Sequence, residues 1–239
     1  MRPRFGDVWV YLSATPLLWL TATLAAYVAA FWLYQRAGQN PLVNPVAVSV
    51  AALVAVLIVS GTDYPTYFNG AQFVHFLLGP ATVAIAVPLH LNFAVVRRNL
   101  VPMVAALLAG SVTAAVSVVG IAYALGASRE TLLSLAPKSV TAPIAMGIAE
   151  QIGGVPSLTA VLVILTGITG AMIAKPVLNF LGIRDWPARG FAVGLTAHGI
   201  GTARAFQVNE VAGTFAGIAM GLNGLATAFL VPLLAALLG

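Results

Sequence analysis

The stretch Ala136-Pro-Lys-Ser-Val-Thr-Ala-Pro-Ile-Ala-Met-Gly-Ile-Ala-Glu-Gln151 sets Lys138, Glu150 and Gln151 inside a chain that is otherwise apolar enough to live in a bilayer. A charge at membrane depth is costly, so its presence there marks function by default. A second stretch of the same kind follows, Thr196-Ala-His-Gly-Ile-Gly-Thr-Ala-Arg-Ala205. Both are short for a span, rich in Gly, Pro, Ser or Thr, and ionisable, which predicts half-helices or broken helices lining a cavity rather than ordinary crossings.

Composition sets the frame for these two stretches. Of 239 residues 60% are hydrophobic and only 7% charged, and mean hydropathy is +0.99, far from the quarter of charged residues usual in soluble domains. The expected fold class is an all-α, polytopic integral membrane protein with about seven transmembrane segments, at roughly 20 residues per crossing. The net charge of +5 does not read as a nucleic-acid surface, because the basic residues stand singly at segment ends, where they act as topology signals. The chain has no cysteine, which removes disulfides and thiolate chemistry. His75, His90 and His198 show no metal-ligand spacing, so neither metal nor cofactor is expected. The motifs of intramembrane aspartyl proteases, of serine nucleophile elbows and of zincins are missing, so the chain is not expected to be an enzyme.

Candidate spans are 9–34, 42–60, 72–96, 100–125, 156–181 and 210–238, with 138–152 and 188–206 as the short, broken pair. The first stretch is too long for a cleaved signal and reads as a span. The expectation is a single transmembrane domain, with 9–60 as scaffold and 72–238 as transport core. The turn-forming, aromatic run Gly61–Gly70 reads as an interfacial loop. An internal echo pairs Pro80 with Pro137, Val83 with Val140, Gly110 with Gly167 and Ala114 with Ala171, giving repeat units of about 78–126 and 135–182. Arg97 and Arg98 precede the span of the first unit, whereas Arg184 and Arg189 follow that of the second. If all four are cytoplasmic, the units are inverted, an architecture of secondary transporters.

The polar residues carry alternatives. The Arg204 guanidinium is a fork suited to a carboxylate, and its competing role is an ion pair with Glu150 or Glu210, or a snorkelling cation. His198 either bonds substrate and carries a proton or is a satisfied core histidine. Lys138, Ser139 and Thr141 surround the start of a half-helix, whose amides attract an anion, although one hydroxyl there reads equally as an N-cap. Thr82 is the repeat counterpart of Ser139. Glu150 is a proton carrier or a counter-charge to Lys138 or Arg204.

Three motifs in order, Lys138-Ser-Val-Thr-Ala-Pro-Ile-Ala145, Gly153-Gly-Val-Pro-Ser-Leu-Thr-Ala160 with Leu165-Thr-Gly167, and Ala197-His-Gly-Ile-Gly-Thr-Ala-Arg-Ala205, resemble the LrgB/CidB family over nearly the whole chain, from about residue 8. The family resembles the C-terminal part of the plastidial glycolate/glycerate translocator. The resemblance implies a multi-pass protein of the bacterial inner membrane, with two competing functions. One is secondary, proton-coupled transport of a small monocarboxylate or 2-hydroxy acid of the glycolate, glycerate, lactate or pyruvate class. The other is antiholin-like modulation of murein hydrolases and autolysis beside a holin-like LrgA/CidA partner. A passive channel is a third option. The resemblance carries Lys138, Ser139, Thr141, Pro143, His198, Gly201, Thr202 and Arg204 to the transport site. Arg204, Lys138, Ser139, Thr141, Thr202 and Thr82 are thus the expected substrate ligands, and His198 and Glu150 the coupling or gating residues. Lipid, a small carboxylate, a partner chain and further copies of the protein are the expected partners, and nucleic acid is not.

Overall fold

The computed structural model describes residues 16–77, 90–91 and 93–237, all of them helix, turn or loop. They fall into two compact units that divide after Ala84. Among the described residues four helices are long and apolar enough to cross a membrane, Pro16–Arg36, Leu100–Ala124, Pro156–Phe180 and Glu210–Ala236, with Pro45–Ser60 a shorter apolar helix. The protein is therefore an all-α, multi-pass membrane protein.

The first unit holds α1 (Pro16–Arg36), α2 (Pro45–Ser60) and α3 (Tyr64–Phe76). Asn44 starts α2, its side chain accepting from the Val46 and Ala47 amides, and Gly61 ends it at φ 64, a left-handed cap that glycine adopts without strain. The expected loop over Gly61–Gly70 is corrected here: only residues 61–63 lie outside helix, and Asn69 and Gly70 continue α3. Gly70 serves packing rather than turning, since a Cβ there would overlap the Pro16 carbonyl and lie 2.8 Å from Trp19 Cβ. Trp19 is buried against α3 in an edge-on contact with Tyr67, ring centroids 5.8 Å apart.

The second unit runs through α4 (Phe93–Arg98), α5 (Leu100–Ala124), α6 (Arg129–Leu135), α7 (Ala142–Ile152), α8 (Pro156–Phe180), α9 (Trp186–Val208) and α10 (Glu210–Leu237). Met103, Phe191 and Phe215 share one apolar cluster with Val96, whereas Ala122, Leu132, Ile148 and Val231 share another. These two clusters mark opposite ends of the unit. Helices α5 and α10 therefore run one way and α8 the other. Arg97, Arg98, Lys175, Arg184, Arg189 and Arg204 stand toward the first end, the basic end, and Arg129 toward the second.

The two short segments are re-entrant. Helix α9 breaks at His198, whose φ 41 and ψ −133 belong to a region that favours glycine. Along a continuous helix Val193 and Ala205 would lie about 18 Å apart, yet they pack in one cluster with Leu178 and Ala212. The chain thus enters along residues 186–197, reverses at His198 and returns along 199–208. Glycines allow the tight nesting of α9 on α10, since a Cβ on Gly190 or Gly194 would overlap the carbonyl of Ala212 or Ala216.

The other hairpin enters from the opposite end. After α6, residues 136–141 form a turn and extended arm, and α7 returns until Val155 N donates to Ser134 Oγ at 2.8 Å and Thr159 Oγ1 to the Ser134 carbonyl at 3.0 Å. Helix α7 begins at Ala142, so Lys138 stands in the turn before it rather than in the half-helix. A long helix followed by a re-entrant hairpin therefore occurs twice, over 100–152 and 156–208, in opposite orientations. The unit expected over 78–126 starts outside the described residues.

Candidate functional site

The tips of the two hairpins meet on one side chain. Asn223, buried in the middle of α10, donates through Nδ2 to the Ser139 carbonyl and to the Leu195 carbonyl, each at 3.0 Å. Its Oδ1 accepts from Ser111 Oγ of α5 at 2.7 Å and from Thr227 Oγ1 at 3.4 Å. An asparagine amide offers two N–H donors and one acceptor oxygen with two lone pairs, so this amide is saturated. Ser139 belongs to the turn between α6 and α7 and Leu195 to the last turn of the first half of α9, where the break removes the N–H groups that would cap its carbonyls. His198 completes the junction from the other side. Its Nε2 donates to the Val163 carbonyl of α8 at 2.9 Å, and its own carbonyl accepts from Thr202 Oγ1 at 2.8 Å. Gly167 makes room for the imidazole, since a Cβ there would lie 2.6 Å from His198 Cε1.

Beside the junction lies a cleft of about 590 Å³ between α8 and α9, with Lys138, Ser139, Thr166, Thr169 and Thr196 as its polar lining and Leu162, Ile173 and Leu178 among its apolar walls. Lys138 is half-buried and its Nζ donates to Ser139 Oγ at 3.1 Å. This is a mostly apolar pocket with one cation and four hydroxyls, the chemistry that takes a small organic anion. At the basic end a smaller cavity of about 240 Å³ is lined by Lys175, Asn179, Trp186, Arg189 and Arg204. A third, of about 450 Å³, opens between α5 and α9 and carries Asn99, Asp185 and Thr196 on apolar walls.

The expected site residues separate among these places. Lys138 and Ser139 line the cleft. Thr141 caps α7 in an extended conformation without a side-chain cap bond. Thr202 is buried and turned to the His198 carbonyl, with Met220 Sδ at 3.9 Å. Arg204 lines the end cavity, not the Lys138 cleft, and donates to Gln207 Oε1 at 3.3 Å. The reversal at His198 is the reason, because it carries the return arm back toward the end where α9 begins. Glu150 is exposed near the end of α7, remote in sequence from the tip that holds Lys138. Thr82 lies outside the described residues. No group of acidic or histidine side chains among the described residues is arranged to hold a metal.

Sequence reasoning missed Asn223, Ser111 and the threonines of α8. The signal was present as a lone amide in the apolar run Gly221-Leu-Asn-Gly224, because an amide within a membrane helix must find partners on neighbouring helices.

A model of the LrgB-like family matches residues 23–237. Bacillus subtilis YwbG is 37% identical over 215 residues, covering 90% of this chain and 95% of that protein. The holin-like protein CidB of Staphylococcus epidermidis strain RP62A is 30% identical over 224 residues, 94% of this chain and 96% of the relative. The holin-like protein CidB of Staphylococcus aureus strain N315 is 28% identical over 218 residues, 91% and 95% respectively. No solved structure gives a significant match.

Proposed function

The chain belongs to the LrgB-like family, and from that premise we propose that it is a secondary transporter of small monocarboxylates or 2-hydroxy acids, with the Lys138 cleft as its substrate site. The observation that carries the reading is the joining of two oppositely directed re-entrant tips on Asn223 beside a cleft whose lining carries a single cation. Irregular backbone at membrane depth is tolerated where it lines a cavity, and transporters use such breaks for their substrates.

Lys138 supplies the charge that balances the carboxylate. Ser139, Thr166, Thr169 and Thr196 supply hydroxyls for its second oxygen and for a 2-hydroxyl, and Thr141 stands next along the same arm. Coupling to protons runs through His198, which sits at the tip on the backbone of α8, with Glu150 as the alternative carrier. Thr82 remains a proposed ligand from the first repeat unit.

A second reading is favoured by the names of the two staphylococcal relatives: a CidB-type modulator of murein hydrolases, acting with a holin-like partner and without a substrate of its own. The two readings differ at Lys138. Uptake of labelled glycolate, lactate and pyruvate into proteoliposomes, with and without an imposed pH gradient, is expected to be saturable and gradient-stimulated. It should be lost in Lys138→Ala and partly kept in Lys138→Arg. Absence of uptake, even with a holin-like partner co-reconstituted, would transfer the assignment to the modulator.

A further inference from the structure

The cavity of about 450 Å³ between α5 and α9 is lined from Asn99 to Gly110 on one helix and from Asp185 to Thr196 on the other. Eleven residues of helix rise about 16 Å, close to half of a hydrocarbon core about 30 Å thick. Both helices start at the basic end, so the cavity is about as deep as one leaflet. Trp186 opens α9 beside Asp185, at the level of a span where interfacial aromatics concentrate.

The floor is the buried apolar cluster of Met103, Phe191 and Phe215. Ala106, Ala188 and Ala192 along the rim are exposed, so the slot opens sideways along its length. Its polar groups are satisfied within the protein. Thr196 Oγ1 donates to the Ala192 carbonyl at 2.8 Å, Asn99 Nδ2 to the Val95 carbonyl at 2.7 Å, and Asp185 Oδ2 accepts from the Ala188 amide at 2.9 Å. What remains for an occupant at depth is hydrocarbon contact. The volume, spread over that depth, makes a slot narrower than the 10–12 Å of an α-helix, so a partner helix does not fit. Charge gathers only at the mouth, where Arg97 and Arg98 precede Asn99 and Arg184 precedes Asp185, all three exposed. They stand against Asp185, committed to its cap, and Glu210 at the start of α10.

We propose that this slot holds one acyl chain of an anionic phospholipid, whose headgroup meets Arg98 and Arg184 at the mouth. An apolar slot left empty forfeits dispersion contacts on its walls, and a chain restores them. The chain alone gives no preference over bulk lipid, whose tails are equally apolar. The headgroup supplies it, since each cation near the surface favours an anionic lipid by about fivefold. Ala192 and Thr196 also line the Lys138 cleft, so the chain and the cleft lie against the same arm of α9. The lipid site itself does not depend on the transport reading.

The full-length protein is placed in phosphatidylcholine nanodiscs doped with phosphatidylglycerol that carries a diazirine at the end of one acyl chain, and labelled peptides are mapped by mass spectrometry. Labelling should concentrate on Phe191, Leu195 and Phe215. Ala106→Phe, which fills the slot from its exposed rim, should cut that labelling several-fold while leaving the exposed Val161 and Leu225 labelled as before. Ala188→Leu repeats the test from the other wall should the first variant fail to fold. Arg98→Gln/Arg184→Gln should cut labelling about tenfold when phosphatidylcholine competes. Labelling of the floor that matches Val161 and ignores both slot-filling variants would mean annular lipid only and overturn the site. Equal labelling by a diazirine phosphatidylcholine, or equal competition by a free fatty acid of the same length, would overturn the headgroup assignment. Oxidative cross-linking of Ala106→Cys between two copies of this otherwise cysteine-free chain would give the slot to a protein neighbour and likewise overturn it. No arm requires transport, so absence of carboxylate uptake leaves the lipid site standing, and absence of slot labelling leaves the carboxylate reading standing.

Discussion

Replacing Asn223 by alanine tests whether the two hairpin tips depend on one amide. The substitution strands the Ser139 and Leu195 carbonyls and removes the acceptor of Ser111 and Thr227. Hydrogen bonds between membrane helices contribute about 0.6 kcal/mol each, so the three bonds that leave α10 set a lower bound of about 2 kcal/mol. Leaving two buried carbonyls without a donor costs about 1–3 kcal/mol apiece, which sets an upper bound of about 6 kcal/mol. For a unit of this size that is a fall in Tm of roughly 5–20 °C. Asn223→Asp should be at least as damaging as alanine, although its shape is nearly unchanged, because a carboxylate turns acceptors toward two carbonyls. The assay is thermal unfolding of the purified protein in nanodiscs, followed by reactivity of a single cysteine introduced at Thr166 to monitor opening of the tips. An Asn223→Asp variant as stable as the parent, with unchanged cysteine reactivity, would refute the junction.

Two glycines in helices should respond to alanine with opposite sign. Gly194→Ala meets the Ala216 backbone and should lower stability by about 1–3 kcal/mol through overpacking, whereas Gly147, with open space around it, should gain up to about 1 kcal/mol of helix propensity; equal Tm shifts would contradict the close α9–α10 contact. His198→Gly should relieve backbone strain of about 1–3 kcal/mol but lose the bond to Val163. His198→Ala loses the bond and keeps the strain, so it should unfold at the lower temperature, and the reverse order would remove the case for a strained tip. Cysteines placed at Arg184 and Glu130 should label with an impermeant maleimide from opposite faces of oriented vesicles. Labelling from one face would contradict the opposed hairpins.

The membrane class and the two polar segments were legible because they depend on composition alone: an apolar chain that spends charges at Lys138 and Arg204 can keep them only where a cavity or another polar group receives them. The reversed directions of the α5 and α8 spans were likewise readable from Arg97 and Arg98 against Arg184 and Arg189. Boundaries were read less well, since prolines at 137 and 143 mark a break without saying that helix resumes only at Ala142, and Gly70 looked like a turn residue although it serves a helix contact.

Joining Lys138 and Arg204 into a single clamp was the natural reading of a sequence with few charges. The sharp reversal at His198 separated them, and no local propensity announces a histidine in a backbone region that favours glycine; it is held there by Thr202, Val163 and the space above Gly167. Asn223 shows the same division. The sequence by itself determined that a polar residue buried in α10 needed partners, because an amide cannot remain unpaired in hydrocarbon. Only the tertiary structure decided that those partners are two hairpin tips entering from opposite ends, since hydrogen-bond geometry between segments far apart in the chain exists only once the helices that carry them have packed.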